Sequence, residues 1–351
     1  MKKIVLFTGA GFVAPLGLPT TTQFIKEINM LRQDITGFVS EYLGKAGNDI
    51  ESILTTLEMF SEEADLTGFL IPKITAAHIS MDLQARLKSL KGTAYTEIVR
   101  IRKIIFEKLQ GFDAGNSKNF YLNVYRQIKE LTPDIALSIF TTNYDLTFET
   151  AYEMGESDWN ELGIKEIDYG FPIKRGRPIY DPARVFEWDM DTIEYLKLHG
   201  SLDWHLDFNK NCSKAGAAVT PNDPSQIPIL YPGFKSIPEN EPFSSLHSNL
   251  FSRLTSADLI LVAGFAFRDS YINNIFENVM RAKPGVPIYC FNPMKTEDAP
   301  QDSRLISFAS KYSSFHHEKI GVSTGDHPLG EGFPNMALKK LLFLEGVGSK
   351  Q

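Results

Sequence analysis

The residues best suited to chemistry lie in short polar or glycine-containing segments, each at the end of an apolar run. Gly9-Ala10-Gly11 follows the run KIVLFT. The segment from Gly9 to Ala14 fits the relaxed pattern G-x-G-x-x-G/A, in which glycines let a backbone approach a pyrophosphate. A tight turn between a strand and a helix gives the same pattern. The usual dinucleotide fold also needs an acidic residue on a second strand tip about 20 residues later. In this chain that region has helical texture, which argues against a dehydrogenase.

Two further segments carry side chains suited to binding and to proton transfer. In TTNYD (141–145), the amide of Asn143 can orient a ribose hydroxyl or a water, and Asp145 can accept a hydroxyl hydrogen bond or cap a helix. In LHGS (198–201), His199 has the side chain best suited to proton transfer near neutral pH. A histidine with a purely structural role in the core or in a turn has the same appearance in a sequence.

Two later runs also end in residues that can face a ligand. Gly264, in ADLILVAGFAFRD (257–269), can expose backbone N–H groups to a phosphate. Asn292, in VPIYCFNP (286–293), can bind a ribose or simply make the turn before Pro293. None of these segments decides a function alone.

The elements that must position these segments alternate between strand and helix. The sequence predicts strands with polar tips at 4–11, 136–145, 195–205, 259–269 and 287–293, and helices at 20–33, 119–131, 146–154 and 270–282. This alternation predicts an α/β fold with a doubly wound, parallel, Rossmann-like sheet. Ligands bind beyond the carboxyl ends of such strands, where all the tips converge. Residues 35–110 have helical spacing throughout and predict a helical insertion, whereas 209–245 is predicted to be irregular.

The composition narrows the class of protein. The 351 residues include 36 Lys+Arg and 43 Asp+Glu, a net charge of −7, which is not the basic footprint of a nucleic-acid-binding protein. The two cysteines, Cys212 and Cys290, exclude a disulfide framework and a four-cysteine zinc site. No stretch approaches the roughly 20 apolar residues of a membrane span. We therefore expect a soluble, cytoplasmic protein.

The order of the segments resembles the sirtuin NAD-binding domain, and most closely the bacterial sirtuin-like NADases of anti-phage defence. GAGFVAPLGLPT (9–20) and LKLHGSLDW (196–204) carry this resemblance, which spans residues 1 to about 295. It implies an NAD-binding domain formed by 1–34 and 111–351, with 35–110 as the insertion. It also implies that Gly9, Ala10 and Gly11 cradle the pyrophosphate. Asn143, supported by Asp145, would contact the ribose or a water, and His199 would be the general base. The implied NAD contacts are Gly9, Ala10, Gly11, Phe12, Thr20, Thr142, Gly264, Phe265, Asp269 and Asn292.

Departures from the sirtuin pattern indicate which reaction to expect. Sirtuin deacylases carry Asp-Phe-Arg where this chain has Thr20 and two further threonines, and they carry two zinc-binding cysteine pairs that are missing here. We therefore expect NAD+ cleavage to nicotinamide and ADP-ribose without zinc. Deacylation or ADP-ribosyl transfer to a protein, and a non-catalytic NAD-sensing subunit, are the alternatives. The resemblance further implies a homo-oligomer gated by a separately encoded partner, such as a hexameric HerA-type ATPase, with no direct contact to nucleic acid or membrane.

Overall fold

The computed structural model of the protein describes residues 1–20, 23–24, 54, 57, 81–129, 134–174, 176–184, 186–209, 211–215, 227–230, 240–292, 304–313 and 315–319.

A seven-stranded parallel sheet lies at the centre of the fold. Its strands, together with those of two small hairpins, are β1 (Lys2–Thr8), β2 (Ile135–Thr141), β3 (Glu166–Asp168), β4 (Ile173–Lys174), β5 (Arg177–Pro178), β6 (Thr192–Lys197), β7 (Trp204–Leu206), β8 (Cys212–Lys214), β9 (Leu259–Ala263), β10 (Ile288–Asn292) and β11 (Phe315–Lys319). The sheet has the order β11-β10-β9-β1-β2-β6-β3, and the hairpins are β4-β5 and β7-β8. The doubly wound parallel sheet is therefore confirmed. The winding changes direction between β1 and β9, which is where such folds bind ligands.

Helices cover both faces of the sheet. A 3-10 turn (Ala14–Leu16) is followed by α1 (Met81–Leu109), α2 (Ala114–Lys129), α3 (Thr147–Met154), α4 (Glu156–Glu161), α5 (Phe243–Ser256), α6 (Ser270–Ala282) and α7 (Arg304–Lys311). Among the described residues, no helix is long and apolar enough to cross a membrane.

The central strand β1 shows how the sequence builds two cores. Ile4 and Leu6 face the layer that contains α1, α2 and α3, while Val5 and Phe7 face the layer that contains α5 and α6. All four side chains are buried, because successive residues of a strand point to opposite faces and both faces are covered here. A continuous apolar run is the expected sequence of such a strand.

The predicted helical insertion can be followed over part of its length. The helix α1 is 29 residues long, and the apolar residues that predicted it, Ile98, Ile101, Ile105 and Leu109, are all buried. Helical spacing is thus confirmed for this part, and Leu54 and Leu57 are buried in the same core. The division of the chain into two domains stays a prediction. The remainder of 35–110 lies outside the described residues.

Two elements contradict the prediction that 209–245 is irregular. The structure has strand β8 inside this stretch, and the helix α5 begins at Phe243. A buried ion pair anchors α5 to the sheet: Arg253 Nε lies 2.9 Å from Glu194 Oε2 on β6. The Arg253 guanidinium also stacks over the Trp188 ring, 4.5 Å from its centre. These contacts fix the helix that brings His247 to the candidate site.

Candidate functional site

The loops after β1 and β9 pack backbone against backbone. The Gly9 N–H donates to the Ala263 carbonyl (3.0 Å) and the Gly11 N–H to the Gly264 carbonyl (3.0 Å). A Cβ atom on Gly264 would lie 2.0 Å from a backbone nitrogen of the first loop, and its φ of +64° also favours glycine. These glycines therefore allow the two loops to pack closely against each other. Of the Gly9-Ala10-Gly11 N–H groups, only that of Ala10 has no partner among the described residues and can face a phosphate.

The tip of β2 joins this loop through Asn143. Its Nδ2 donates to the Gly9 carbonyl (3.2 Å), and its backbone N–H donates to Thr141 Oγ1 (3.0 Å). Because a carbonyl can only accept, this contact assigns the amide orientation and leaves Oδ1 as the group that can accept from a ligand. The Asn143 side chain is 8% exposed, so it is held in one position and remains reachable.

His199 is buried where the tips of β6 and β9 meet. Its Nε2 lies 3.1 Å from Asp269 Oδ2, but the approach is off the N–H axis. Consequently neither ring nitrogen makes an aligned hydrogen bond to any residue that the structure describes. A buried polar atom without a partner is costly, so these nitrogens indicate a site built for a ligand or a water. The Tyr144 ring, on the tip of β2, lies 6.5 Å from the His199 ring.

Asp269 combines two roles at the start of α6. Its Oδ1 accepts from the N–H groups of Tyr271 (2.8 Å) and Ile272 (3.0 Å) and caps the helix, while Oδ2 faces His199. Burial raises the pKa of the Asp269 carboxyl, but His199 and the helix N–H groups outweigh burial and hold that pKa below its usual range. Asp269 is therefore an anion at neutral pH, 3.1 Å from the imidazole.

A second buried histidine completes this part of the site. His247, on α5, stacks against His199 with ring centres 6.2 Å apart, and its Nδ1 donates to the Phe243 carbonyl (2.7 Å). Burial, with a smaller contribution from the neighbouring His199, lowers the pKa of His247 to about 4. His247 is thus neutral at physiological pH, and its buried Nε2 has no partner within the described part of the chain.

A buried charged network lies beneath the tips of β2 and β6. Lys197 Nζ is 2.8 Å from Glu149 Oε1, donates to Ser201 Oγ (2.8 Å) and also donates to the Asp145 carbonyl. Ser201 in turn donates to Asp203, which pairs with Lys214. Burial raises the pKa of Glu149, although Lys197 opposes this shift. The network ties the segment that carries Asn143 to the segment that carries His199.

Asp145 is buried near the tip of β2, and its side chain contacts Thr147. Its Oδ1 accepts from the backbone N–H of Thr147 (3.0 Å) and from the Thr147 hydroxyl, next to the start of α3. Asp145 is not the N-cap residue, which is Leu146, so the role of Asp145 stays a prediction. Asp145 can support the site through its backbone, which Lys197 holds.

Some of the other residues predicted to contact NAD lie at strand tips, and others have side chains in the core. Thr142 follows β2 and donates its N–H to the Thr8 carbonyl (3.1 Å), and Asn292 ends β10. The Thr20 N–H donates to Gln23 Oε1 (2.6 Å), a contact that is typical of a helix start. The rings of two predicted contacts point into the core instead: Phe12 packs against Phe120 (5.1 Å), and Phe265 packs against Phe7 (4.9 Å).

Four strand tips thus form a closed ring of contacts, from β1 to β2, β6, β9 and back to β1. A family model described as a SIR2-like domain matches residues 137–315, just over half of the chain. The chain belongs to the SIR2-like domain family. This confirms the resemblance to the sirtuin NAD-binding domain. None of the curated proteins compared with the chain is similar to it.

The solved structures that are similar to the chain include Sir2 homologues. A mutant Sir2 homologue in complex with 2′-O-acetyl-ADP-ribose has 14% identity and a TM-score of 0.47, over 96% of this chain and 92% of that one. A Sir2 homologue in complex with NAD has 14% identity and a TM-score of 0.45, over 97% and 90%. At this similarity neither match identifies a substrate for this SIR2-like chain.

Sequence reasoning missed two groups in this SIR2-like site. His247 carried no signal, since a lone histidine on an amphipathic helix has no distinguishing pattern. Lys197 did carry one, because a charged residue inside the apolar run YLKLHG needs a buried partner. Among the described residues, no group of three or more His, Cys, Asp or Glu could hold a metal ion.

Proposed function

We propose that the protein is an NAD+ hydrolase that releases nicotinamide and forms ADP-ribose. The observation that carries this proposal is the buried His199 imidazole, whose two nitrogens lack aligned partners at the ring of tips that also holds Asn143. An imidazole in this setting is suited to accept a proton, and an amide oxygen held in place is suited to orient the group that loses it.

The reaction places limited demands on the protein. The bond between the ribose C1′ and the nicotinamide nitrogen breaks, and its electron pair leaves with nicotinamide, which is neutral and needs no acid. The ribose passes through an oxocarbenium-like state, as in glycoside cleavage. Water then forms the new C1′–O bond. We propose that Asn143 Oδ1 orients this water or the ribose hydroxyl and that His199 accepts the proton that the water loses.

The rest of the proposed NAD site follows the strand tips. Ala10 supplies the N–H group that can face the pyrophosphate, in the loop that Gly9, Gly11 and Gly264 pack together. Thr142 and Asn292 stand on the tips of β2 and β10 and are proposed as further contacts to the dinucleotide. The Asp145 backbone is proposed to hold Asn143 from below.

We further propose that the activity is gated and serves bacterial anti-phage defence. The sequence resemblance of 9–20 and 196–204 to the defence NADases supports this part of the proposal. An ungated NADase would deplete its own cell, so a homo-oligomer and a separate sensor, such as a hexameric HerA-type ATPase, are the proposed regulators. Co-purification with the product of the neighbouring gene, followed by an NAD+ assay with and without it, tests this regulation.

The test of the proposed residues is nicotinamide release from NAD+. His199→Ala and Asn143→Ala should each reduce kcat by about 10²–10⁴-fold while the melting temperature stays near that of wild type. His205→Ala, on β7, is the matched control and should retain full activity. Full activity in His199→Ala would refute the assignment of the base.

Product analysis separates hydrolysis from transfer. Mass spectrometry should find free ADP-ribose in a one-to-one ratio with nicotinamide. Acyl-ADP-ribose or ADP-ribosylated protein as the main product would instead assign the SIR2-like site to a transferase. Tight NAD+ binding without nicotinamide release under any condition would assign it to a sensing subunit.

A further inference from the structure

His199 lies beside Asp269, a residue far away in the sequence whose carboxylate has a fixed orientation. Asp269 Oδ1 is occupied by two N–H groups at the start of α6, so Oδ2 cannot rotate away from His199 Nε2, 3.1 Å distant. Both side chains are buried. The contact is not an aligned hydrogen bond, but the negative charge of a carboxylate 3.1 Å away still favours a proton on the nitrogen that it faces, and the other nitrogen then carries the lone pair.

His247 shows the opposite arrangement a short distance away. Its Nδ1 contacts a carbonyl oxygen, the Phe243 carbonyl of the same helix, so the proton of the neutral ring lies on Nδ1 and the lone pair on Nε2. The two stacked imidazoles therefore have different neighbours and should have opposite tautomers. The contrast makes His247 an internal reference for His199.

We propose that Asp269 is the positioning residue of His199 and fixes its tautomer, with the proton on Nε2 and Nδ1 as the basic nitrogen. The catalytic consequence rests on the proposed function, since Nδ1 would be the atom that accepts the proton from the water or hydroxyl. Asp269 itself does not contact the reacting atoms in this account. This role differs from the direct contact with NAD that the resemblance implies for Asp269.

The direct test is the tautomer of His199 in the wild-type protein. In a spectrum of the chain with ¹⁵N in its histidine rings, the His199 signals are those that disappear in His199→Asn. At pH 8 we expect a protonated Nε2 and an unprotonated Nδ1 for His199, and the reverse for His247. A His199 ring protonated on Nδ1 overturns the proposal. This measurement does not depend on any activity, so it separates failure of the tautomer assignment from failure of the NAD+ hydrolase assignment.

The kinetic test is Asp269→Asn. Asn caps helices about as well as Asp, so the melting temperature should stay within about 2 °C of wild type. The carboxylate is lost, however, and the tautomer is no longer fixed. We expect kcat to fall by about 10²–10⁴-fold with KM changed by less than about threefold. A purely structural cap predicts an unchanged kcat, and that result overturns the proposal.

A matched control uses the same substitution at another helix start. Asp113 Oδ1 accepts from the Asn116 N–H (2.7 Å) at the beginning of α2, and Asp113→Asn should leave kcat unchanged. If Asp269→Asn does not fold, Asp269→Ser provides a second capping residue that cannot reach His199, with the same expected loss of kcat. The wild-type tautomer decides the question in either case.

Discussion

The buried Lys197 makes a sharp prediction about stability, because it neutralises Glu149 in a site from which water is excluded. Both side chains are 2% exposed, and Lys197 also donates to Ser201 and to the Asp145 carbonyl. Lys197→Met keeps the length and apolar stem of the side chain but leaves the carboxylate without its closest positive charge. Breaking a buried pair in this way costs about 3–5 kcal/mol. An unfolding entropy of about 2.1 cal/mol/K per residue makes the shift about 1.4 °C per kcal/mol for 351 residues, so calorimetry should find a melting temperature roughly 4–7 °C lower.

Two further measurements distinguish a lost charge pair from lost packing. The double variant Lys197→Met/Glu149→Leu should lose less stability than the two single variants together, with a coupling of about 1–3 kcal/mol. Burial already raises the pKa of Glu149, and without Lys197 that pKa rises further. The folded state then holds a proton that the unfolded state releases, so Lys197→Met should lose stability as the pH rises above the ordinary glutamate pKa of about 4.3.

The control for this prediction is an exposed pair. Lys165 Nζ lies 2.5 Å from Asp191 Oδ2, but the Lys165 side chain is 75% exposed, so Lys165→Met should not change the melting temperature measurably. Strict additivity of Lys197→Met and Glu149→Leu, or a melting temperature of Lys197→Met equal to that of wild type, would refute the reasoning.

Two other predictions follow from the same part of the fold. Gly264→Ala should prevent folding or lower the melting temperature strongly, because its Cβ would overlap backbone atoms and its φ is +64°, whereas Gly285→Ala, which meets nothing within 4 Å, should be tolerated. Burial lowers the pKa of His247 to about 4. Between about pH 6.5 and pH 4 the unfolded chain therefore binds a proton on this residue that the folded chain does not bind. The free energy of unfolding should therefore fall by about 3 kcal/mol from pH 7 to pH 4. In His247→Phe this fall should be absent when the free energy is measured by denaturant unfolding at each pH. Identical pH dependence in the two proteins would contradict this pKa.

Several features of the fold could be predicted because one sequence pattern determined them. The apolar runs that became β1 and β9 are buried on both faces, and α6 spans 270–282, as its spacing predicted. Leu246, Leu250 and Leu254 also had helical spacing, but serines and the preceding prolines obscured α5.

The contacts that define the site could not be predicted in the same way. His199 and Asp269 follow β6 and β9, which are not neighbours, since β1 and β2 lie between them in the sheet. Only the loops beyond the tips bring the two residues together. The motif Gly9-Ala10-Gly11 is likewise compatible with two structures, because close packing of loops and a phosphate-binding loop both favour glycine. In the structure Gly9 and Gly11 give their N–H groups to the other loop.

The central claim is that His199 promotes cleavage of NAD+. The most direct measurement is nicotinamide release from NAD+ by the purified chain, alone and with the product of its neighbouring gene, beside His199→Ala, with NAD+ binding followed by calorimetry. We expect release by wild type in at least one of these conditions and a loss of about 10²-fold or more in His199→Ala, which should still bind NAD+. Release that does not depend on His199, or a wild-type protein that does not bind NAD+, would contradict it.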